Sequence, residues 1–139
     1  MASFTVEIVS AEQSVWSGPA EFVVVPGSQG ELGIQRGHSP LLTYLKPGNV
    51  AVKVSGQETQ HFYVSGGVVE VQPTGVIVLA DASVRAQDLD EAAVLQAKAE
   101  AEEMLRNKQD KLNYSEIELR LSQEISKLQS IEKYRAGRR

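Results

Sequence analysis

Two short stretches of this chain carry residue types that reactive sites use. Gly27-Ser28-Gln29-Gly30-Glu31-Leu32-Gly33 has G-x-x-G-x-x-G spacing. A phosphate loop ends its glycines in Lys-Ser/Thr, and a dinucleotide turn needs G-x-G-x-x-G. Neither pattern is present, so the stretch reads as a turn-rich connection. Gly37-His38-Ser39-Pro40 sets a histidine beside a serine. Adjacency alone does not align a base with a nucleophile, and the G-x-S-x-G elbow is missing. His38 therefore reads as a loop histidine with an ordinary hydrogen bond. Glu7, Glu12, Glu21, Glu31, Glu58, Glu70 and Asp81 are scattered, with no carboxylate pair marked for acid–base work. Cysteine is absent, which removes disulfides, thiol catalysis and thiolate metal sites. Two histidines, His38 and His61, are too few for a histidine-rich metal cage. No catalytic residue, metal site or cofactor is expected, and the chain does not read as an enzyme.

Binding is better supported. Arg120 and Lys127 lie one heptad apart, followed by Lys133, Arg135, Arg138 and Arg139. Such a run suits the negative end of a helix and a solvated helix face. The sharper reading is an electrostatic contact with an acidic partner. Leu32, Ile34, Leu41 and Leu42 read singly as core. Fourteen basic residues against eighteen acidic give a net charge of −4, so there is no broad cationic surface for nucleic acid. Aromatic stacking partners near the basic end are sparse, only Tyr114 and Tyr134. No apolar run approaches the length of a membrane span. The opening Met1-Ala2-Ser3-Phe4-Thr5-Val6-Glu7 lacks the basic and apolar regions of a signal peptide, so an intracellular protein without a targeting segment is expected.

The elements that would position these residues change character near residue 86. All five prolines, ten of eleven glycines and sixteen of seventeen valines precede it. Charged residues number 11 before that point and 21 after it. Valine is stiff at χ1 and suits a pleated surface, while glycine and proline punctuate turns. Phe4–Ile8, Ala20–Val25, Val50–Val54, His61–Val64, Val68–Val71 and Val76–Ala80 read as strands, separated by Pro26-Gly27, Pro47-Gly48, Ser55-Gly56, Gly66-Gly67 and Pro73-Thr74-Gly75. Many short strands at this spacing indicate a small sandwich or flattened barrel over residues 1–86.

Residues 87–139 read as two helices. Asp88 is placed as an N-cap with Glu91 three residues on, and Leu89, Ala93, Ala97, Ala101 and Met104 follow one face. Asn107–Tyr114 breaks the pattern. Ser115 and Glu118 suggest a second capping box, and Ile117, Leu121, Ile125, Leu128 and Ile131 form an apolar stripe. A short connection makes this an antiparallel hairpin. About a dozen large apolar side chains, each worth roughly 1.5–3 kcal/mol when fully buried, would be only half covered in an isolated pair. Ordering the backbone costs about 1–2 kcal/mol per residue. The hairpin alone is expected to be marginal, needing either the β part or another protein to dock on.

An ordered series of short motifs adds a resemblance. Val9-Ser10-Ala11-Glu12, Gly30-Glu31-Leu32-Gly33-Ile34, Gly37-His38-Ser39-Pro40-Leu41-Leu42, Pro47-Gly48, Ser65-Gly66-Gly67, Val69-Glu70-Val71, Val78-Leu79-Ala80-Asp81 and Leu89-Asp90-Glu91-Ala92 occur in turn. Together, over essentially the whole chain, they resemble the epsilon subunits of bacterial F-type ATP synthases, proteobacterial ones most closely. The resemblance implies an α+β fold, an N-terminal ten-stranded β sandwich followed by a C-terminal two-helix hairpin. It implies a non-catalytic rotor subunit of the central stalk, binding the gamma subunit and the c-ring. The hairpin would move between a compact state and an extended state that reaches the catalytic alpha/beta subunits and inhibits ATP hydrolysis. By position, Gly30, Glu31, Leu32 and Gly33 would face the c-ring and His38 would lie near gamma. Arg120, Lys127, Lys133 and Arg135 would meet an acidic segment of the catalytic head. The implied location is peripheral, at the cytoplasmic face of the bacterial inner membrane, touching the membrane only through the complex.

One departure concerns nucleotide. Some family members bind ATP through Ile/Leu-Asp-x-x-Arg-Ala. Leu89 and Asp90 fit, but Ala93 and Val94 stand where the arginine and alanine would be. Without the guanidinium fork, weak or absent ATP binding is expected. The alternative to the rotor reading is a free-standing β-domain module binding protein or carbohydrate, with the hairpin as an oligomerisation arm.

Overall fold

The computed structural model describes residues 3–11, 13–107 and 114–137. Ten strands come first: β1 (Phe4–Ser10), β2 (Ser14–Ala20), β3 (Phe22–Gly27), β4 (Gly30–Ile34), β5 (Leu41–Leu45), β6 (Gly48–Lys53), β7 (Gln60–Val64), β8 (Gly67–Gln72), β9 (Gly75–Ala80) and β10 (Ser83–Arg85). A 3-10 turn over Ala86–Asp88 leads to α1 (Glu91–Asn107) and α2 (Tyr114–Ala136). The strands run in the order β10-β7-β6-β3-β5-β8-β9-β1-β2, with β4 paired to β3. The two halves of this nearly closed sandwich join where Gly27 of β3 faces Leu45 of β5. Pairing is antiparallel except between β1 and β9, which run parallel from Thr5 opposite Gly75 to Ser10 opposite Ala80.

Alternation decides which side chains turn inward. In β1, Phe4, Val6 and Ile8 are buried while Thr5 is exposed. Val23, Val25, Val50, Val52, Phe62, Val64, Val69, Val71, Val76 and Val78 complete a core that draws every member from residues 4–80. Gly67 is required where β8 begins. Its φ is +138°, and a Cβ there would collide with the carbonyl oxygen of Leu79 on the neighbouring strand.

Four strands carry weak local signals. β2 contains Gly18 and Pro19, tolerated because it pairs only with β1 at a sheet edge. β10 has three residues. β5 and β4 fall where the sequence reads as loop. The Gly30–Gly33 stretch is thus not only a connection: it forms most of β4, with Val25 opposite Leu32 and Val24 opposite Gly33. Of the apolar residues expected as core there, Ile34 is buried, Leu32 and Leu41 pack against the core, and Leu42 is 69% exposed.

The helix caps differ from expectation. Asp88 lies in the 3-10 turn, and Asp90 caps α1, its Oδ1 accepting the Ala92 and Ala93 N–H groups at 3.1 and 3.3 Å. Ser115 is already inside α2, and Glu118 hydrogen-bonds the Tyr114 hydroxyl, raising its pKa. The buried face of α1 runs through Val94 and Ala101, with Ala97 half-buried, while Ala93 and Met104 are exposed. In α2 the expected stripe is only partly covered: Ile131 is buried, Ile117, Leu121 and Leu128 are intermediate, and Ile125 is 38% exposed. The helices are antiparallel, for Arg120 pairs with Glu100 and Arg135 with Glu91. Most of the expected break between them, residues 108–113, lies outside the described residues, as do Glu12, Arg138 and Arg139.

Candidate functional site

The second helix rests on the outer face of β6 and β7. Pairing in these strands sets Asn49 opposite Tyr63 and Ala51 opposite His61. Because side chains alternate, Val50, Val52, Phe62 and Val64 go into the core and the polar set turns toward the helix. The seat is consequently polar. Ser126 donates its hydroxyl to the Pro47 carbonyl at 3.1 Å. Lys127 bridges to the buried Glu124 carboxylate at 3.1 Å and stands 5.5 Å above the Tyr63 ring. Burial and the neighbouring Glu124 charge hold the Tyr63 phenol far above its ordinary pKa, so it stays neutral. Asn49 Nδ2 lies 3.1 Å from His61 Nδ1. Burial, and next the nearby Lys133 charge, lower the His61 pKa. The buried oxygens Asn49 Oδ1 and Ser130 Oγ have no hydrogen-bond partner.

Apolar anchoring is correspondingly light. Val94 and Ile131 are the large apolar side chains of the described helices that become buried, worth about 3–6 kcal/mol together at the usual value per side chain. The polar contacts that join α2 to the sandwich are the Ser126–Pro47 hydrogen bond and the Lys133–Glu31 ion pair. Such contacts separate in water at low cost, because water replaces each partner.

The four cations singled out in the sequence are all engaged within the chain. Arg120 meets Glu100 at 3.6 Å, Lys127 meets Glu124, Lys133 meets Glu31 at 3.4 Å, and Arg135 meets Glu91. The Lys133 pair joins α2 to β4, bringing together two stretches that the sequence left unconnected. His38 sits apart from them in the β4–β5 loop. Its Nδ1–H donates to the Ser39 carbonyl at 2.7 Å, a contact to the backbone of its neighbour. Gly37 N–H ties this loop to the Pro73 carbonyl at 2.8 Å. Leu89 is half-buried before α1, and the Asp90 carboxylate is committed to capping. No group of His, Asp and Glu able to hold a metal occurs among the described residues.

A second surface was missed in the sequence. Across the outer face of the other half, Tyr44, Val68, Leu79 and Val9 stand in one cross-strand row over β5, β8, β9 and β1. Leu42 and Ile77 lie in the next row, separated by Glu70. Tyr44 is 73% exposed and Leu79 47%. An apolar row of this extent across a sheet is a feature of protein-binding surfaces. The available signal was a valine-rich strand set whose apolar residues occupy both alternation phases. No helix among the described residues is long and apolar enough to cross a membrane.

Comparison with known proteins agrees with this architecture. A family model described as ATP synthase, Delta/Epsilon chain, beta-sandwich domain matches residues 3–86. The chain is 49% identical over 134 residues to the ATP synthase epsilon chain of Herminiimonas arsenicoxydans, covering 96% of each. It is 45% identical to ATP synthase epsilon chain 2 of Ralstonia nicotianae, covering 100% of both chains. Among solved structures, a chain of the Euglena gracilis mitochondrial ATP synthase (OSCP/F1/c-ring) superposes with a TM-score of 0.78 at 20% identity, over 87% of this chain and 76% of that one. One from the Tetrahymena thermophila central stalk/c-ring gives 0.53 at 15%, over 76% and 92%. The structural likenesses speak to the fold, and the sequence relatives speak to descent: this chain belongs to the family of ATP synthase epsilon chains.

Proposed function

We propose that the chain is a non-catalytic rotor subunit of the central stalk of a proton-translocating F-type ATP synthase, linking gamma to the c-ring. In this reading residues 1–86 bind the stalk, and residues 87–139 form a regulatory arm that restrains ATP hydrolysis when extended. The observation that carries the regulatory part is the seat of α2: polar, lightly packed and joined to the sandwich through the Ser126–Pro47 bond and the exposed Lys133–Glu31 pair, it favours a helix that can leave. The exposed row through Tyr44, Val68, Leu79 and Val9 is the surface offered to gamma, with His38 in a loop tied to the adjoining β8–β9 turn. Gly30, Glu31, Leu32 and Gly33, on the β3–β4 hairpin, are the residues offered to the c-ring.

Arg120, Lys127, Lys133 and Arg135 would exchange their internal carboxylates for acidic groups on the catalytic alpha/beta head. That exchange conserves charge pairing and so needs little net energy. Attachment to the bacterial inner membrane is indirect, from its cytoplasmic face through the complex. The test compares ATP hydrolysis by the assembled complex with the full chain and with residues 88–139 deleted. Faster hydrolysis on deletion is expected. Unchanged hydrolysis would remove the inhibitory role.

A further inference from the structure

His61 of β7 lies beneath the last turn of α2. A methyl group placed on Gly137 would come within 3.9 Å of its Nε2. The ring shares a cleft of about 340 Å³ with Tyr134 of α2, Glu58, Gln60 and Arg85. Its Nδ1 faces the side-chain amide of Asn49 on β6 at 3.1 Å, a group that brings no charge to receive an imidazolium. We infer that His61 makes the docking of α2 depend on pH, with acid favouring release of the helix.

The charges around the ring set the direction. Lys133 approaches from α2 and Arg85 from β10, both repelling a protonated ring, while α2 covers it from water. Glu58 and the carbonyl end of α2 act the other way. Lys133 is itself partly compensated by Glu31. Burial is the largest influence, and it depresses the His61 pKa below 6.5 in the docked state. Once α2 departs, burial and Lys133 depart with it and the ring returns toward 6.5. The released state then binds the proton more readily. Docking is fully supported above that pH and weakens as pH falls through it toward the docked value. The two states differ in proton affinity at one site, so the population of released helix rises by at most about tenfold between pH 7.5 and 5.5.

This inference rests on the reading that α2 can leave its seat, but its measurement needs no assembled complex. Amide hydrogen exchange of α2 in the isolated full chain is followed from pH 7.5 to 5.5, corrected for intrinsic rates and referred to β6 and β7. The expected result is a rise of up to about tenfold in α2 opening in the native chain, none in His61→Gln, and a native-like rise in His38→Gln. In parallel, the His61 ring signals in the unmodified chain should titrate below the ordinary histidine range, with the α2 amide shifts following the same midpoint. A pH response that survives His61→Gln, or α2 shifts that ignore the ring titration, overturns the inference. So does α2 opening that stays constant across the range. None of these outcomes touches the deletion result in the assembled complex, which alone decides the inhibitory role.

Discussion

Lys133 Nζ lies 3.4 Å from Glu31 Oε1, closing a link across 102 positions between the end of α2 and strand β4. Each residue is proposed to meet a different outside partner, the catalytic head for the lysine and the c-ring for the glutamate. While they hold each other, neither is free for its outside role. Both side chains are about half exposed, so the pair is worth only ~0.2–1 kcal/mol. Glu31→Gln should raise α2 opening in the isolated chain by no more than about fivefold, read by amide exchange. A much larger rise would mean that Glu31 supports the seat through more than this pair.

Ser130 gives a prediction of opposite sign. Its hydroxyl oxygen is buried without a partner. Removing an unsatisfied buried oxygen is neutral or stabilising, whereas removing a satisfied one costs. Ser130→Ala should therefore tighten α2 and slow its exchange, while Ser126→Ala, which loses the bond to Pro47, should loosen it. If the two substitutions act alike, the hydrogen bonding of the seat does not govern docking.

The sandwich and the hairpin should differ when separated. The core is drawn wholly from residues 4–80, so residues 1–86 should melt cooperatively by circular dichroism. Residues 88–136, deprived of β6 and β7, should be weakly helical with a broad, shallow thermal transition. A sharp melt of that fragment would show that the hairpin needs no seat.

Gly67 is the most sensitive single position in the sheet. Alanine there faces both a φ of +138° and a collision with the Leu79 carbonyl. Strain of ~1–3 kcal/mol and overpacking of ~1–3 kcal/mol act together. Gly67→Ala should lower the Tm of the chain by on the order of 10 °C or more. Gly30→Ala, at a φ of +133° but with open space around it, incurs the backbone strain without the collision and should lower it less.

ATP should bind weakly to the isolated chain. Ala93 offers no guanidinium, and the Asp90 carboxylate already accepts two N–H groups at the start of α1. Isothermal titration should show no low-micromolar affinity. Asp90→Ala should cost about 1 kcal/mol through the lost cap, seen as faster exchange in the first turn of α1.

Much of the fold was legible because its signals are local. Valine-rich alternation marked β1, β3, β6, β7, β8 and β9, and charge density marked both helices. β4 was hidden by its glycines, β5 by an exposed Leu42 and Tyr44 that break the usual inward–outward pattern, and β10 by its length. Capping could not be placed to the residue, since Asp88 and Asp90 both precede an acidic first turn and the 3-10 turn decides between them. The basic residues of α2 were legible as a group, but their partners were not. Glu31 and Glu100 reach Lys133 and Arg120 only through tertiary packing, which spacing along one element cannot report. His61 was obscured for the same reason: nothing near it in sequence shows that a helix ends above it.

The parallel pairing of β1 with β9 orders events in time. β1 leaves the ribosome ahead of both its neighbours, β2 and a strand some seventy residues downstream. Until residue 80 is available, one edge of β1 stays open, so closure of the barrel waits for almost the entire β segment to be synthesised. Nascent chains halted before β9 should consequently expose that edge and depend on chaperones, whereas the arm, translated after the strands, can find its place on a finished surface.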